Sequence, residues 1–377
     1  MNKKILFLVT EDWYFLSHRL SLALASKKEG YEVYVACKDT GKMDEIKKYQ
    51  FNYLNINLQR GNSSIFVLFK NIFKVRKLIK NTNVSILHAV SMQPIILGLF
   101  ATFLNRKIKF VAAVTGLGTL FLVNNVKAKI IKFFLSVFLI IGLKKRNISV
   151  IVQNNDDKRF INRSLLCPSH KIFLIRGSGV DINLYKFQKE PSHPPIVISY
   201  VGRLIKDKGI ENLIEAFNIA YIKNKNIKLL LVGSLDKNNM RPISKEYIEN
   251  INNDNIEYIG EVKDIKKIWG MSHIAILLSR REGLPKSLLE AAASGRAIIS
   301  TDVPGSREIS RKSINAELVK LNDVNATAKA ILYLAENHAV RKTYGLKSRE
   351  LVESDMSEEH VIRNTLSLYK DLYKNNS

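Results

Sequence analysis

The chain has little cysteine, no long apolar run and, across much of its first half, no carboxylates. Only Cys37 and Cys167 occur among 377 residues. They have no paired spacing, which excludes a disulfide framework and points to a reducing, cytoplasmic setting. The apolar run Phe133 to Leu143 is too short for a membrane-crossing helix, which needs roughly 20 residues. The run Ile5 to Val9 ends in Glu11 and Asp12 without a small-residue cleavage site, so it reads as a first strand rather than a targeting segment. Glycine is absent before Gly30, and Gly-x-Gly-x-x-Gly therefore cannot follow that strand. This argues against a dinucleotide-dependent oxidoreductase. Asp-x-Asp occurs nowhere, so a metal bridging a diphosphate is not indicated. His170, His193, His273, His338 and His360 lack cluster spacing, and no metal ligands are expected.

The missing carboxylates leave a strong charge asymmetry. No Asp or Glu lies between Ile46 and Asn155, where 17 Lys and Arg do. Residues 1–180 carry 29 basic and 9 acidic side chains, a net +20, against 30 and 25, a net +5, in residues 181–377. Such a half attracts anionic lipid, nucleic acid or phosphorylated substrates, and charge alone does not choose among them.

What is present is an alternation of short β-rich runs with helical segments. "KKILFLVT", a helix near Phe15 to Glu29 and "EVYVAC" form a βαβ opening, followed by "VSILHAV", "KFVAAVT", "ISVIVQN" and "KIFLIRG". Pro191, Pro194 and Pro195 mark a linker, after which "IVISYVG", "IKLLLVG", "IEYIG", "IAILLS" and "AIIST" repeat the pattern. The expectation is an α/β chain of two doubly wound, Rossmann-like domains facing a central cleft, with ligands beyond the carboxyl ends of the strands. Its boundaries fall at 1–190, 191–356 and a carboxyl-terminal helical segment, 357–377, that crosses back to the first domain.

Two strand ends in the second half carry chemistry. In "SRREGLPKSLLEAAASG", Glu282 follows a strand, Pro285 suits the first helical position, and Glu290 lies five residues into the helix. The free N–H groups of that helix start favour a phosphate, whereas the carboxylates suit hydroxyl groups. In "YVGRLIKDKG", Gly202 and Arg203 follow a strand and Lys208 precedes the next helix, so two cations can face a departing diphosphate. Taken singly, each feature is more often a solvated surface group; their combination in one domain is the informative observation.

Together these motifs resemble the retaining family 4 glycosyltransferases of the GT-B fold. The resemblance implies that Glu282 binds donor-sugar hydroxyls, Glu290 holds the nucleotide ribose, and Arg203 and Lys208 take the diphosphate. It adds Gly202, the turn residues Gly283, Leu284 and Pro285, and Gly260 at the base pocket. It also implies a nucleotide-sugar donor, UDP foremost, carrying a hexose or N-acetylhexosamine, and no metal or other cofactor. The first half, "TEDWYFLSHRLSLA" with "AAVTGLGTLF", is similar to the bacterial subset that extends polyprenyl-diphosphate-linked saccharides in surface-glycan assembly. Many family members have paired glycines after the first strand; here Gly116 and Gly118 would supply that close backbone approach. His18, in the loop after the first strand, is a candidate for bonding the acceptor or leaving phosphate, and His88 a second. A packed or surface imidazole is an even alternative for His18 and the favoured one for His88.

Two basic segments bear on the membrane. In "SSIFVLFKNIFKVRKLIK", Ile65, Leu68, Phe69, Ile72 and Ile79 fall on one helical side, with Lys70, Lys74 and Lys77 broadly opposite. In "VKAKIIKFFLSVFLIIGLKKR", Lys129, Lys132 and Ser136 form a polar stripe. Each segment alone is more often a helix packed on a sheet. With the regional lack of acid, an anionic membrane surface is the expected partner, making the protein peripheral on the cytoplasmic face. A nucleic-acid-binding protein is the rival, disfavoured because the aromatics interleave in helical phase and no binding motif is present. A phosphorylase is disfavoured by the lack of a pyridoxal lysine segment, while an epimerase of the same fold stays open.

Overall fold

The computed structural model describes residues 3–58, 65–105, 107–116, 126–192, 194–236, 239 and 241–374. Gly118 and His193 lie outside them, as do the side chains of Lys129, Lys132, Ile65 and Leu68. The chain forms two compact units, Met1–Ser178 with Val361–Ser377, and Gly179–His360. The second unit thus begins ahead of the proline cluster, because Val180, Ile182 and Tyr185 pack into its core.

The first unit holds seven parallel strands: β1 (Lys4–Glu11), β2 (Glu32–Lys38), β3 (Asn52–Asn55), β4 (Ile86–Val90), β5 (Lys109–Val114), β6 (Ile148–Val152) and β7 (Ile172–Leu174). Their order is β3-β2-β1-β4-β5-β6-β7, which reverses direction between β1 and β4. β4, β5 and β6 are buried throughout, as expected of strands covered on both faces. One face packs under the helices Ile65–Thr82, Met92–Ala101 and Val126–Leu143, through Ile72, Val75, Leu97 and Leu139. The other packs under Leu20–Lys28 and the carboxyl-terminal helix, through Leu22, Val361 and Tyr369. That last helix, Glu358–Lys374, belongs to this unit from Val361 onward.

The second unit holds six parallel strands: β8 (Ile196–Val201), β9 (Ile227–Val232), β10 (Ile256–Gly260), β11 (Ile274–Leu277), β12 (Ala297–Thr301) and β13 (Ala316–Val319). Their order, β10-β9-β8-β11-β12-β13, places the switch point between β8 and β11. Arg203 follows β8 and Glu282 follows β11, so both motifs occupy the loops where a doubly wound sheet opens a crevice.

Three local expectations change. The opening helical segment is two helices, Asp12–His18 and Leu20–Lys28, broken at Arg19 (φ −131°, ψ −9°). Asp12 anchors the first by accepting the backbone N–H groups of Trp13, Thr40 and Lys42. Pro285 precedes its helix as the cap of Lys286–Ala293 rather than opening it. In the helix Ile65–Thr82, Ile72 and Ile79 are buried, but Phe69 and Phe73 are 56% and 64% exposed beside Lys70, Lys74 and Lys77. At 100° per residue Phe69 lies on the border of the cationic face, one turn from Phe73, and the sheet covers only the Ile72–Val75–Ile79 stripe.

Candidate active site

The loop after β8 is pressed onto the end of β11. Gly209 has φ +72°, and a Cβ there would lie 2.3 Å from the Leu278 carbonyl oxygen. Only glycine permits this approach. The contact is fastened by Arg280 N–H donating to the Asp207 carbonyl at 2.9 Å, while the Asp207 carboxylate holds Arg241 at 2.8 Å. From the other side, Gly305 (φ +82°) brings its loop against the turn, where a Cβ would meet the Glu282 carbonyl oxygen at 2.6 Å.

This packing brings Lys208 to Glu282. The Lys208 ammonium donates to Glu282 Oε1, and both side chains keep a minor part of their surface open. Arg203 Nη1 pairs with the Asp236 carboxylate at 2.7 Å, just beyond β9. Tyr200 ties these groups together. Its buried hydroxyl donates to the Arg203 carbonyl at 2.7 Å. Burial, then the nearby Glu282 charge, raise its pKa well above the ordinary phenol range, with Arg203 opposing. Glu282 and Arg203 follow the neighbouring strands β11 and β8 and so share one end of the sheet.

Glu290 is a different kind of carboxylate. It is only 7% exposed, in a helix whose Leu288, Leu289, Ala291 and Ala292 are also buried. Lys286 lies 4.0 Å away. Burial raises its pKa against the opposing influence of Lys286, Tyr185 and Trp269. Tyr185 in turn is raised by burial and by the Glu290 charge. No side chain caps the start of Lys286–Ala293, whose first N–H groups adjoin the Glu282 turn. Gly283 lies in that turn and Leu284 packs on the core. At the end of β10, Gly260 (φ +81°) accepts Gly233 N–H at 2.8 Å, which joins three adjacent strand ends when Gly202 N–H donates to Val232.

The arrangement combines two cations, a carboxylate and a helix start at one switch point. It can hold a ligand bearing both a diphosphate and several hydroxyls. Asp236, Tyr200 and Tyr185 were missed in the sequence. Asp236 was findable, since "LLLVGSLD" carries an acid just past a strand end; the two tyrosines looked like core aromatics.

In the first unit, His18 ends a helix rather than lying in a loop. Its ring stacks on Tyr14 at 4.3 Å, and Nδ1 lies 2.6 Å from Ser17 Oγ. His88 is buried inside β4 with Nδ1 on the Tyr369 hydroxyl. Burial, aided by Arg19, holds its pKa well below the ordinary imidazole value. Gly116 follows β5 with φ +121°. Ser91, at the end of β4, adopts φ +76°, a costly geometry for a residue with a Cβ. Among the described residues, no His, Cys, Asp and Glu group has the makings of a metal site, and no helix is long and apolar enough to cross a membrane.

Two family models match the chain: "Glycosyl transferase 4-like" over residues 4–161 and "Glycosyl transferases group 1" over residues 181–351. The capsular polysaccharide biosynthesis glycosyltransferase CapM of Staphylococcus aureus is 27% identical, covering 99% of this chain and 98% of that one. The N,N'-diacetylbacillosaminyl-diphospho-undecaprenol alpha-1,3-N-acetylgalactosaminyltransferase of Campylobacter jejuni is 26% identical, covering 96% and 99%. Among solved structures, a glycosyltransferase from Rickettsia africae superposes with a TM-score of 0.78 at 22% identity, over the whole of both chains. The chain belongs to the family 4 glycosyltransferases, with their GT-B domains. It is an enzyme of sugar transfer.

Proposed function

We propose that the protein is a retaining, metal-independent glycosyltransferase. It moves a hexose or N-acetylhexosamine from a UDP-sugar to a polyprenyl-diphosphate-linked saccharide in bacterial surface-glycan assembly. The observation carrying this reading is the Lys208–Glu282 pair beside Arg203 at the β8/β11 switch point. The names of the Campylobacter and Staphylococcus relatives support the acceptor class and the pathway.

Before donor binds, Glu282 neutralises Lys208. A donor diphosphate competes for that ammonium and for Arg203, and releases Glu282 to accept hydroxyl protons of the sugar. Arg203, Lys208 and the start of Lys286–Ala293 then stabilise the charge that grows on the leaving diphosphate. The acceptor hydroxyl attacks from the face the diphosphate leaves, and its proton passes to the departing phosphate, so no protein base is needed. Glu282 orients the sugar and is not a nucleophile. Glu290, buried beside Tyr185, accepts from the ribose. The absence of Asp-x-Asp favours these cations over a metal as the electrostatic partner.

The acceptor's lipid requires a membrane surface, and the exposed Phe69 and Phe73 among Lys70, Lys74 and Lys77 suit an anionic interface better than nucleic acid. The location proposed is peripheral, on the cytoplasmic side. The test is nucleotide release by purified protein with a set of sugar nucleotides and a polyprenyl-diphosphate sugar, with and without chelator. Acceptor-dependent release unaffected by chelator is expected; strict metal dependence or no release with any donor would overturn the reading.

A further inference from the structure

Arg19 is a buried cation without a carboxylate. It is 5% exposed, between the helices Asp12–His18 and Leu20–Lys28. Its Nη1 donates to the His18 carbonyl at 2.9 Å and reaches the Gly177 carbonyl at 3.5 Å. Its Nε is enclosed and has no partner. Among the described residues Arg19 forms no ion pair. The titratable groups within its field are His88 and Tyr369, and both are neutral near pH 7: burial and the Arg19 charge keep the imidazole unprotonated, and burial keeps the phenol protonated. With two carbonyls on Nη1 and an enclosed Nε that meets nothing, the guanidinium keeps donors available for a further acceptor.

The position of this charge is informative. Arg19 lies beyond the carboxyl end of β1, one of the two strands of the first unit's switch point. It also precedes Leu20–Lys28, a helix whose start has no side-chain cap. An anion there would meet a guanidinium and an uncapped helix start together. No acid from β1, β4 or the carboxyl-terminal helix fills that role.

We propose that Arg19 is a phosphate-binding residue of this enzyme, its guanidinium taking a phosphoryl oxygen of a diphosphate-bearing substrate. The proposal rests on the glycosyltransferase reading for the identity of that substrate. The diphosphate belongs either to the sugar-nucleotide donor or to the lipid-linked acceptor, and the same chemistry serves both.

The experiment compares full-length wild type with Arg19→Met and Arg19→Lys, measuring kcat and KM for donor and acceptor separately. Arg19→Met should raise one KM at least tenfold, with partial recovery in Arg19→Lys, which keeps the charge. A rise confined to the donor assigns the nucleotide diphosphate. A rise confined to the acceptor, lost with an acceptor analogue lacking the diphosphate, assigns the lipid diphosphate. Unchanged KM values with a lowered Tm would overturn the proposal and leave Arg19 as a clamp on the two carbonyls. If wild type turns over no sugar nucleotide, calorimetry with inorganic pyrophosphate still decides. In a chain carrying Arg203→Ala and Lys208→Ala, adding Arg19→Met should weaken pyrophosphate binding at least tenfold; equal binding would overturn the proposal.

Discussion

Lys208 and Glu282, 74 positions apart, meet in one ion pair at the switch point of the second sheet. The pair is partly open to solvent, so its contribution to stability is small, about 1 kcal/mol or less. Its place at the strand ends gives it chemical meaning. Lys208→Ala and Glu282→Gln should each lower kcat by about 10²–10³-fold, the scale for losing one electrostatic contact to developing charge. Thermal melts should move little. A large Tm loss with intact turnover would make the pair structural.

Gly209→Ala tests the packing that assembles this pair. A methyl group would meet the Leu278 carbonyl and force a left-handed φ on alanine. The variant should lose at least about 1 kcal/mol of stability and should also lose turnover as Lys208 shifts. Stability and turnover both equal to wild type would show that the 206–209 turn can move freely.

Glu290 supplies a pH signature. Its folded-state pKa is raised by burial, so the folded state binds its proton more tightly than the unfolded state does. The associated stability is full below the ordinary carboxyl pKa and is lost as pH rises through the raised value. Glu290→Gln should therefore gain Tm relative to wild type near pH 8 and little near pH 4, while its donor KM rises. A Tm difference independent of pH would contradict the burial effect.

His88 has the opposite sense. Its depressed pKa means that the unfolded chain takes up the proton first, so stability falls as pH drops below about 6.5. Tyr369→Phe removes the partner of Nδ1 and should cost about 1–3 kcal/mol, since Nε2 is already unpartnered. Urea melts at pH 7.5 and 5.5 would check both, and an equal midpoint for wild type and variant would refute the bond's contribution.

Much of this was legible in the sequence, because buried parallel strands are short apolar runs and their ends are marked by glycine and charge. Arg203, Lys208 and Glu282 could be picked out on that basis. β3 and β13 were not, since "NYLN" and "AELV" are too short and too polar to stand out. The break at Arg19 was hidden because His18 and Leu20 continue a helical pattern, and the two-helix opening is fixed by the distant backbone of Thr40 and Lys42 gripping Asp12. Phe69 was grouped with the apolar side of Ile72 and Ile79 because periodicity reports a face but not how wide a strip of it the sheet covers. Asp236 stands visibly past a strand end, but its pairing with Arg203 depends on β8 and β9 being neighbours.

The central claim is that positive groups for a diphosphate and a carboxylate for sugar hydroxyls serve one donor. The most direct measurement is acceptor-dependent UDP release from UDP-sugars by wild type, Arg203→Ala and Glu282→Gln under matched conditions. Turnover collapsing in both variants while acceptor binding holds is the expected result; undiminished release from either would contradict a shared donor pocket.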